Sequence, residues 1–136
     1  MIVQLNLQNA EEIFRLEQEC FELPWKKELI ESHLENHLAF GFTEDGVLTG
    51  YVLFIESDCV EILRIGVSRD QRRKGIARQL VADLKDFQKD IILEVSSANS
   101  DAIAFYSSMG FVETGKRENY YADGSAAVLL DLPFGK

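Results

Sequence analysis

Residues 71–77 read QRRKGIA and set Arg72, Arg73 and Lys74 directly before Gly75, in a chain of 136 residues whose formal net charge is −9. The chemistry such a run could do is anion binding. A strand ending at Val67 leads through a short loop into a helix that begins near Gly75, so successive backbone amides point toward whatever sits at that helix N-terminus. Gly75 lets the backbone come close to a ligand, and the three cations add full charges to the partial charge of the helix end. A diphosphate suits such a site. The spacing is neither GxxxxGK followed by Ser or Thr nor GxGxxG, and a solvated basic helix start stays open as the other reading. Two side chains could move protons. Glu94 lies between Leu93 and Val95 on an otherwise apolar strand, where a carboxylate commonly faces solvent, and Tyr106 shares a helical stripe with Ile103 and Met109, where a tyrosine commonly packs in a core. His33 and His37, four residues apart, have neither HExxH context nor a third ligand. They read as surface histidines, and no metal is expected.

The elements that must hold these residues follow from periodicity. IVQLNL alternates as a strand; AEEIFRLEQECF places Ile13, Leu16, Cys20 and Phe21 at helical spacing; and Pro24 opens a second helix through WKKELIESHLEN. LAFGFTE and VLTGYVLFIES form a hairpin over Asp45 and Gly46. CVEILRIGV is a third strand in succession, with Leu63, Ile65 and Val67 alternating toward one side. Ile76, Leu80, Val81, Leu84 and Phe87 stripe one long helix. DIILEVSS is a strand, and SDAIAFYSSMG is a short helix ended by Gly110, with Asn99 placed to cap its start. FVETGKRENYY and SAAVLLDL close the chain as an antiparallel pair turned near Asp123 and Gly124. The expected class is α/β (α+β), a mixed seven-stranded sheet flanked by four helices.

Composition limits what this fold can serve. At 46% hydrophobic, with no repeat or linker, residues 1–136 read as a single domain. With 23 acidic against 14 basic residues, a general nucleic-acid surface is disfavoured, whereas a basic peptide, an amine or a polyamine suits the charge. Cys20 and Cys59 have no CxxC spacing and read as buried free thiols in a reducing cytosol. No targeting sequence or membrane-length apolar run is recognisable, so the expected location is cytoplasmic.

RxxGxA, carried by Arg72, Gly75 and Ala77 after the strand LRIGV, resembles the acyl-CoA pyrophosphate loop of the GNAT N-acetyltransferase superfamily, and the element order matches that superfamily along nearly the whole chain. LEVSSANSDAIAFYSSMGF followed by NYY, together with ECFELPW, is similar to the ribosomal-protein-alanine N-acetyltransferase (RimI) family. The resemblance implies the GNAT acyl-CoA N-acyltransferase fold and direct transfer of acetyl from acetyl-CoA to the α-amine of a peptide or protein N-terminus. The leading acceptor is the N-terminal alanine of a ribosomal protein. It also implies Glu94 as general base through water, Tyr106 near the thioester as the acid for the departing thiolate, and Arg72, Arg73, Lys74, Gly75, Ile76 and Ala77 around the pyrophosphate. The strand at Ile65, Gly66 and Val67 is expected to pair with the pantetheine arm and offer an oxyanion donor. Asn99 is expected to contact CoA as well as cap its helix, and Trp25, Tyr120 and Tyr121 to line the peptide entrance. Ala77 stands where Gly is commoner. The segment YYADGSAAVLL is shorter than the family hairpin, with Ser125 and Ala126 where acidic residues are usual. A small amine or polyamine is the alternative acceptor; a noncatalytic acyl-CoA-binding or ribosome-associated module is the alternative of another class. Retention of both Glu94 and Tyr106 favours the enzyme.

Overall fold

Strand pairing accounts for most of the architecture. The computed structural model describes residues 1–135, in which strands β1 (Ile2–Gln4), β2 (Leu38–Glu44), β3 (Val47–Glu56), β4 (Val60–Val67), β5 (Ile91–Ser96), β6 (Val112–Arg117) and β7 (Ala127–Leu132) make one sheet in the order β1-β2-β3-β4-β5-β7-β6. The β4–β5 pair is parallel and the other pairs are antiparallel, so the sheet is mixed as expected. Four α-helices complete the expected order: α1 (Ala10–Cys20), α2 (Lys27–Asn36), α3 (Ile76–Leu84) and α4 (Ser100–Ser108). The β2–β3 hairpin turns on Asp45 and Gly46, both at positive φ, which matches the twist of the flanking strands. Among the described residues, no helix is long and apolar enough to cross a membrane.

Each sheet face carries its own core. On one face, Ile76, Leu80, Val81 and Leu84 of α3 and Tyr106 of α4 pack against Val52, Phe54, Val60, Ile62, Leu93 and Val95. On the other, Ile13 and Leu16 of α1 and Ile30 of α2 pack against Ala39, Leu48, Tyr51 and Leu53. The amphipathic stripes thus decide which helix covers which face. The long third helix ends earlier than its stripe suggests. After Leu84 it tightens to a 3-10 turn, Lys85–Phe87, and Phe87 still reaches the core between Phe40 and Phe54.

Four expectations need correction. Leu63, Ile65 and Val67 do not alternate on one side: Leu53 pairs with Arg64 but Phe54 with Ile62, so Leu63 is the extra residue of a β-bulge. The bulge resets the alternation, and Ile62, Ile65 and Val67 serve the α3 face. Phe21 lies beyond the end of α1, and the stripe is completed by the buried carboxylate of Glu17. His33 is buried, not exposed; its Nε2 donates to the Leu38 carbonyl at 2.8 Å and its ring meets Trp25 edge-on. Cys20 and Cys59 are free thiols but only half-buried, and the Cys20 thiol donates to the Val67 carbonyl.

Candidate active site

The β4–β5 ladder is short for its strands. Pairing runs through Val60, Glu61 and Ile62 against Ile91, Ile92 and Leu93 and then stops, although β4 continues to Val67 and β5 to Ser96. The stop coincides with the bulge at Leu63, which bends β4 away from its neighbour. A cavity of about 280 Å³ opens between the parted strands, lined among others by Leu63, Ile65, Glu94, Asn99, Tyr106 and Tyr121. Leu93 and Val95 point into the α3 core, so Glu94 projects to the opposite face, whereas Tyr106 arrives from α4 on the α3 side. The gap lets these two side chains share one space across the thickness of the sheet.

Their surroundings differ. The Glu94 side chain is 31% exposed, and its carboxylate has Arg117 of β6 at 3.7 Å. Tyr106 is buried between Phe105 and Phe111, and burial pushes its phenol up to about 12. It therefore keeps its proton throughout the neutral range. Asn99 caps α4 as expected, accepting from the Ala102 amide at 3.1 Å, and also lines the cavity. Tyr121 lines the cavity beside Glu94; burial, then the Glu94 charge, raise its phenol. Tyr120 packs perpendicular to Tyr121 and is half exposed, outside the lining. The loop bearing both is fastened at Ser125, whose amide and hydroxyl donate to Asp123 and whose hydroxyl meets that of Ser96 at 2.7 Å. The shortened hairpin is thereby tied to the end of β5. Trp25 does not line the cavity; it packs on the α1–α2 core.

A second groove, about 310 Å³, lies at the start of α3 and is lined by Val67, Gln71, Arg72, Arg73, Gly75, Ile76, Ala77, Arg78 and Phe105. Gly75 holds φ +78 at the helix N-cap, and a Cβ placed there would meet nothing within 4 Å. The space before the first amides of α3 is therefore open, as an anion at a helix N-terminus requires. Arg72 folds its Nε onto the Val67 carbonyl (3.1 Å), and Arg73 takes positive φ at the loop. Ile76 sends its side chain into the core, leaving its backbone at the groove. Lys74 turns aside to Gln71 at 2.8 Å and is not part of the lining. Gly66 has a packing role: a Cβ there would lie 2.7 Å from the Tyr51 hydroxyl.

Several lining residues were not singled out from sequence. Arg78 enters the anion groove and donates to Ser108 on α4 at 2.8 Å, tying the two helices beside it. A second basic residue one helical turn after Gly75 was the available signal. Phe21 and Arg64 line the cleft with Glu94; they stand inside ECFELPW and LRIGV, but neither was given a role of its own. The donor set fits a diphosphate-bearing cosubstrate: cationic side chains and open helix amides lie at one groove, a carboxylate and a phenol at the other, with Val67 and Ile65 of β4 running between. Among the described residues, no group of three His, Cys, Asp or Glu is arranged to hold a metal ion.

Residues 10–111 match the family described as Acetyltransferase (GNAT) family. Over 130 residues the chain is 32% identical to the ribosomal protein bS18-alanine N-acetyltransferase of Escherichia coli (strain K12), covering 88% of each protein. It is 34% identical over 110 residues to N-alpha-acetyltransferase RimI of Mycobacterium tuberculosis (strain ATCC 25618 / H37Rv), covering 72% of this chain and 68% of that relative. The crystal structure of the ribosomal-protein-S18-alanine N-acetyltransferase from Escherichia coli superposes with a TM-score of 0.90 at 29% identity, covering 100% of this chain and 94% of the other.

Proposed function

The chain belongs to the acetyltransferase (GNAT) family and is an acetyl-CoA-dependent N-acetyltransferase, and from that premise we propose that its acceptor is the α-amine of a protein N-terminus, with the N-terminal alanine of a ribosomal protein leading. The observation that carries this reading is the parting of β4 and β5, which brings Glu94 and Tyr106 from opposite faces of the sheet to one cavity. The curated relatives that act on ribosomal protein alanine cover nearly the same span and support this acceptor. Residues 1–136 act as one catalytic domain, and a ribosomal-protein substrate places the enzyme in the cytoplasm.

Acetyl-CoA, bound as cosubstrate, supplies an acetyl thioester. Arg72, Arg73 and the amides from Gly75 to Ala77 hold its diphosphate, and the β4 backbone at Ile65, Gly66 and Val67 aligns its arm. On the other face, Glu94 takes the proton of the incoming ammonium through water. A protein α-amine has a reference pKa of about 7.7 to 8.0, so about one in ten is already neutral at pH 7, whereas a lysine near 10.4 is neutral about once in 2,500. A carboxylate relayed by water meets the first demand more readily than the second. As the amine attacks the carbonyl carbon and the carbon–sulfur bond breaks, Tyr106 offers its proton to the leaving sulfur. Tyr121, which alone of the three expected aromatics lines the cavity, shapes the acceptor's approach.

The test is an acetyl-transfer assay on three acceptors: a peptide with free N-terminal alanine, the same peptide blocked at its terminus with a free lysine, and a polyamine. Acetylation of the first alone is expected. Preferred modification of lysine or polyamine overturns the acceptor and leaves the family intact.

A further inference from the structure

Glu17 is a fully buried carboxylate on α1 that the transfer chemistry does not use. Its Oε1 accepts from the Trp25 amide at 2.8 Å, both its oxygens accept from Arg64 Nε at 3.1 Å, and Oε2 accepts the Tyr51 hydroxyl. Arg64 sends Nη2 to the Leu23 carbonyl at 3.1 Å, and its guanidinium carbon lies 3.5 Å from the centroid of the Phe21 ring. Three points of the segment between α1 and α2 thus converge on one ion pair: Phe21 by its face, Leu23 by its carbonyl, Trp25 by its amide. The segment has no regular hydrogen-bond ladder of its own. Phe21 and Arg64 both line the cavity that holds Glu94 and Tyr106.

Ion pairs buried to this degree contribute little net stability, since desolvation offsets attraction. Geometry is what this one supplies. Arg64 pairs with Leu53 in register just past the bulge, so its side chain lies on the α1–α2 face, on the strand proposed to align the cosubstrate. Tyr51, opposite Gly66, completes the contact because that glycine leaves room for its ring.

We propose that Arg64 is a specificity-determining positioning residue: held by Glu17, it pins Phe21 and Leu23 as the acceptor-side wall of the cleft and thereby selects a small, uncharged first residue. The proposal rests on the acceptor reading above. The pinned ring limits the room beside Glu94, and the partly exposed guanidinium repels a cationic first side chain.

Arg64→Lys keeps a positive charge beside Glu17, but a single ammonium cannot span the carboxylate and the Leu23 carbonyl or present a flat face to Phe21. Full-length wild type and variant are compared on peptides starting with Ala, Leu and Arg. The expected result is a KM for the Ala peptide raised about tenfold and a preference for Ala over Leu reduced by about fivefold or more, with kcat and acetyl-CoA affinity within about twofold. An unchanged KM and preference overturns the proposal, as does a fall in kcat at constant KM, the mark of a merely smaller folded fraction. Phe21→Ala leaves the Glu17–Arg64 pair intact and is expected to lose the same preference at unchanged melting temperature; retained preference overturns the proposal even if Arg64→Lys does not fold. Trp25 is the only tryptophan, so acrylamide quenching of its fluorescence reads the segment without any acceptor. Quenching should increase in Arg64→Lys. Unchanged quenching overturns the anchor whatever the acceptor, whereas increased quenching in an enzyme that ignores all three peptides sinks the acceptor reading alone.

Discussion

Glu94 occupies a position whose value depends on where its strand points it. Leu93 and Val95 commit the odd face of β5 to the core, so the glutamate between them must leave on the other side. As the proposed base, it should be needed only while the acceptor is an ammonium. Glu94→Gln keeps the shape and cannot take the proton, so turnover should fall on the order of a hundredfold to ten-thousandfold, about 3 to 5 kcal/mol in the barrier, with acetyl-CoA affinity unchanged by calorimetry. Raising the pH should restore part of the loss as more amine arrives neutral. Tyr106 carries a different expectation. A phenol pushed up to about 12 is a weak acid toward a thiolate whose own pKa is about 8.5, so its help is chiefly a hydrogen bond to the leaving sulfur. Tyr106→Phe should therefore cost about tenfold. Because the group stays protonated well above neutrality, the wild-type rate should show no descending limb from it below pH 10; a variant that matches wild type places Tyr106 in the core alone. Glu94, Tyr106 and Asn99 were legible because each stands in a short motif on its own element. Glu17 and Arg64 were not, since they are 47 residues apart and neither has meaning until α1 lies across β4.

Elements turn those residues into a site, and here the bulge at Leu63 has the largest effect. The order of all eleven strands and helices was legible from periodicity and turn residues. The bulge was not, because an inserted residue shifts the alternation without breaking the apolar run VEILRIGV, and the parting of β4 from β5 follows from that shift. The start of α3 is the second such element. Open space at Gly75 means that a side chain there meets no protein atom, and only its positive φ and its charge matter. Gly75→Asn and Gly75→Asp have nearly the same shape, and both tolerate this backbone at modest cost. Calorimetry should find acetyl-CoA binding nearly kept in the first and sharply weakened in the second, where a carboxylate faces the diphosphate; equal affinities would remove the loop from the cosubstrate site. At the other end of the sheet, His33 joins the last turn of α2 to the start of β2 through the Leu38 carbonyl. Burial holds its pKa below the ordinary value, so the folded chain favours the neutral ring. The sign follows: this contribution is complete above about pH 6.5, where the unfolded histidine is also neutral, and is lost as pH falls from there toward the depressed folded value. Melting temperature should drop between pH 7 and 5, and His33→Gln should flatten part of that drop. An unaltered slope would assign the drop to other groups.

Across the whole molecule, charge is unevenly divided. The net charge is −9, yet Arg72, Arg73 and Arg78 meet at one groove. The helices on the opposite face carry Glu11, Glu12, Glu28, Glu31 and Glu35 against Arg15 and Lys27, whereas Glu19 accepts from Ser68 and Arg69 at the loop before the groove. An anionic cosubstrate and a basic peptide would thus be drawn to different faces and meet through the gap between β4 and β5. Fields of this kind act over distances that salt controls, since the Debye length falls from about 10 Å at 0.1 M to about 3 Å at 1 M. They alter encounter more than they alter the bound geometry, with rate effects on the order of tenfold or more. At saturating acetyl-CoA, kcat/KM for a peptide with free N-terminal alanine followed by several arginines should therefore fall severalfold as salt rises from about 0.05 M to 0.5 M, while kcat stays level. An uncharged peptide with the same first residue should show a flat profile. Parallel profiles for the two peptides would mean that the acidic helices only keep the protein dispersed in water, and that the acceptor is chosen inside the cleft by Phe21, Arg64, Glu94 and Tyr121 without help from the surface around it.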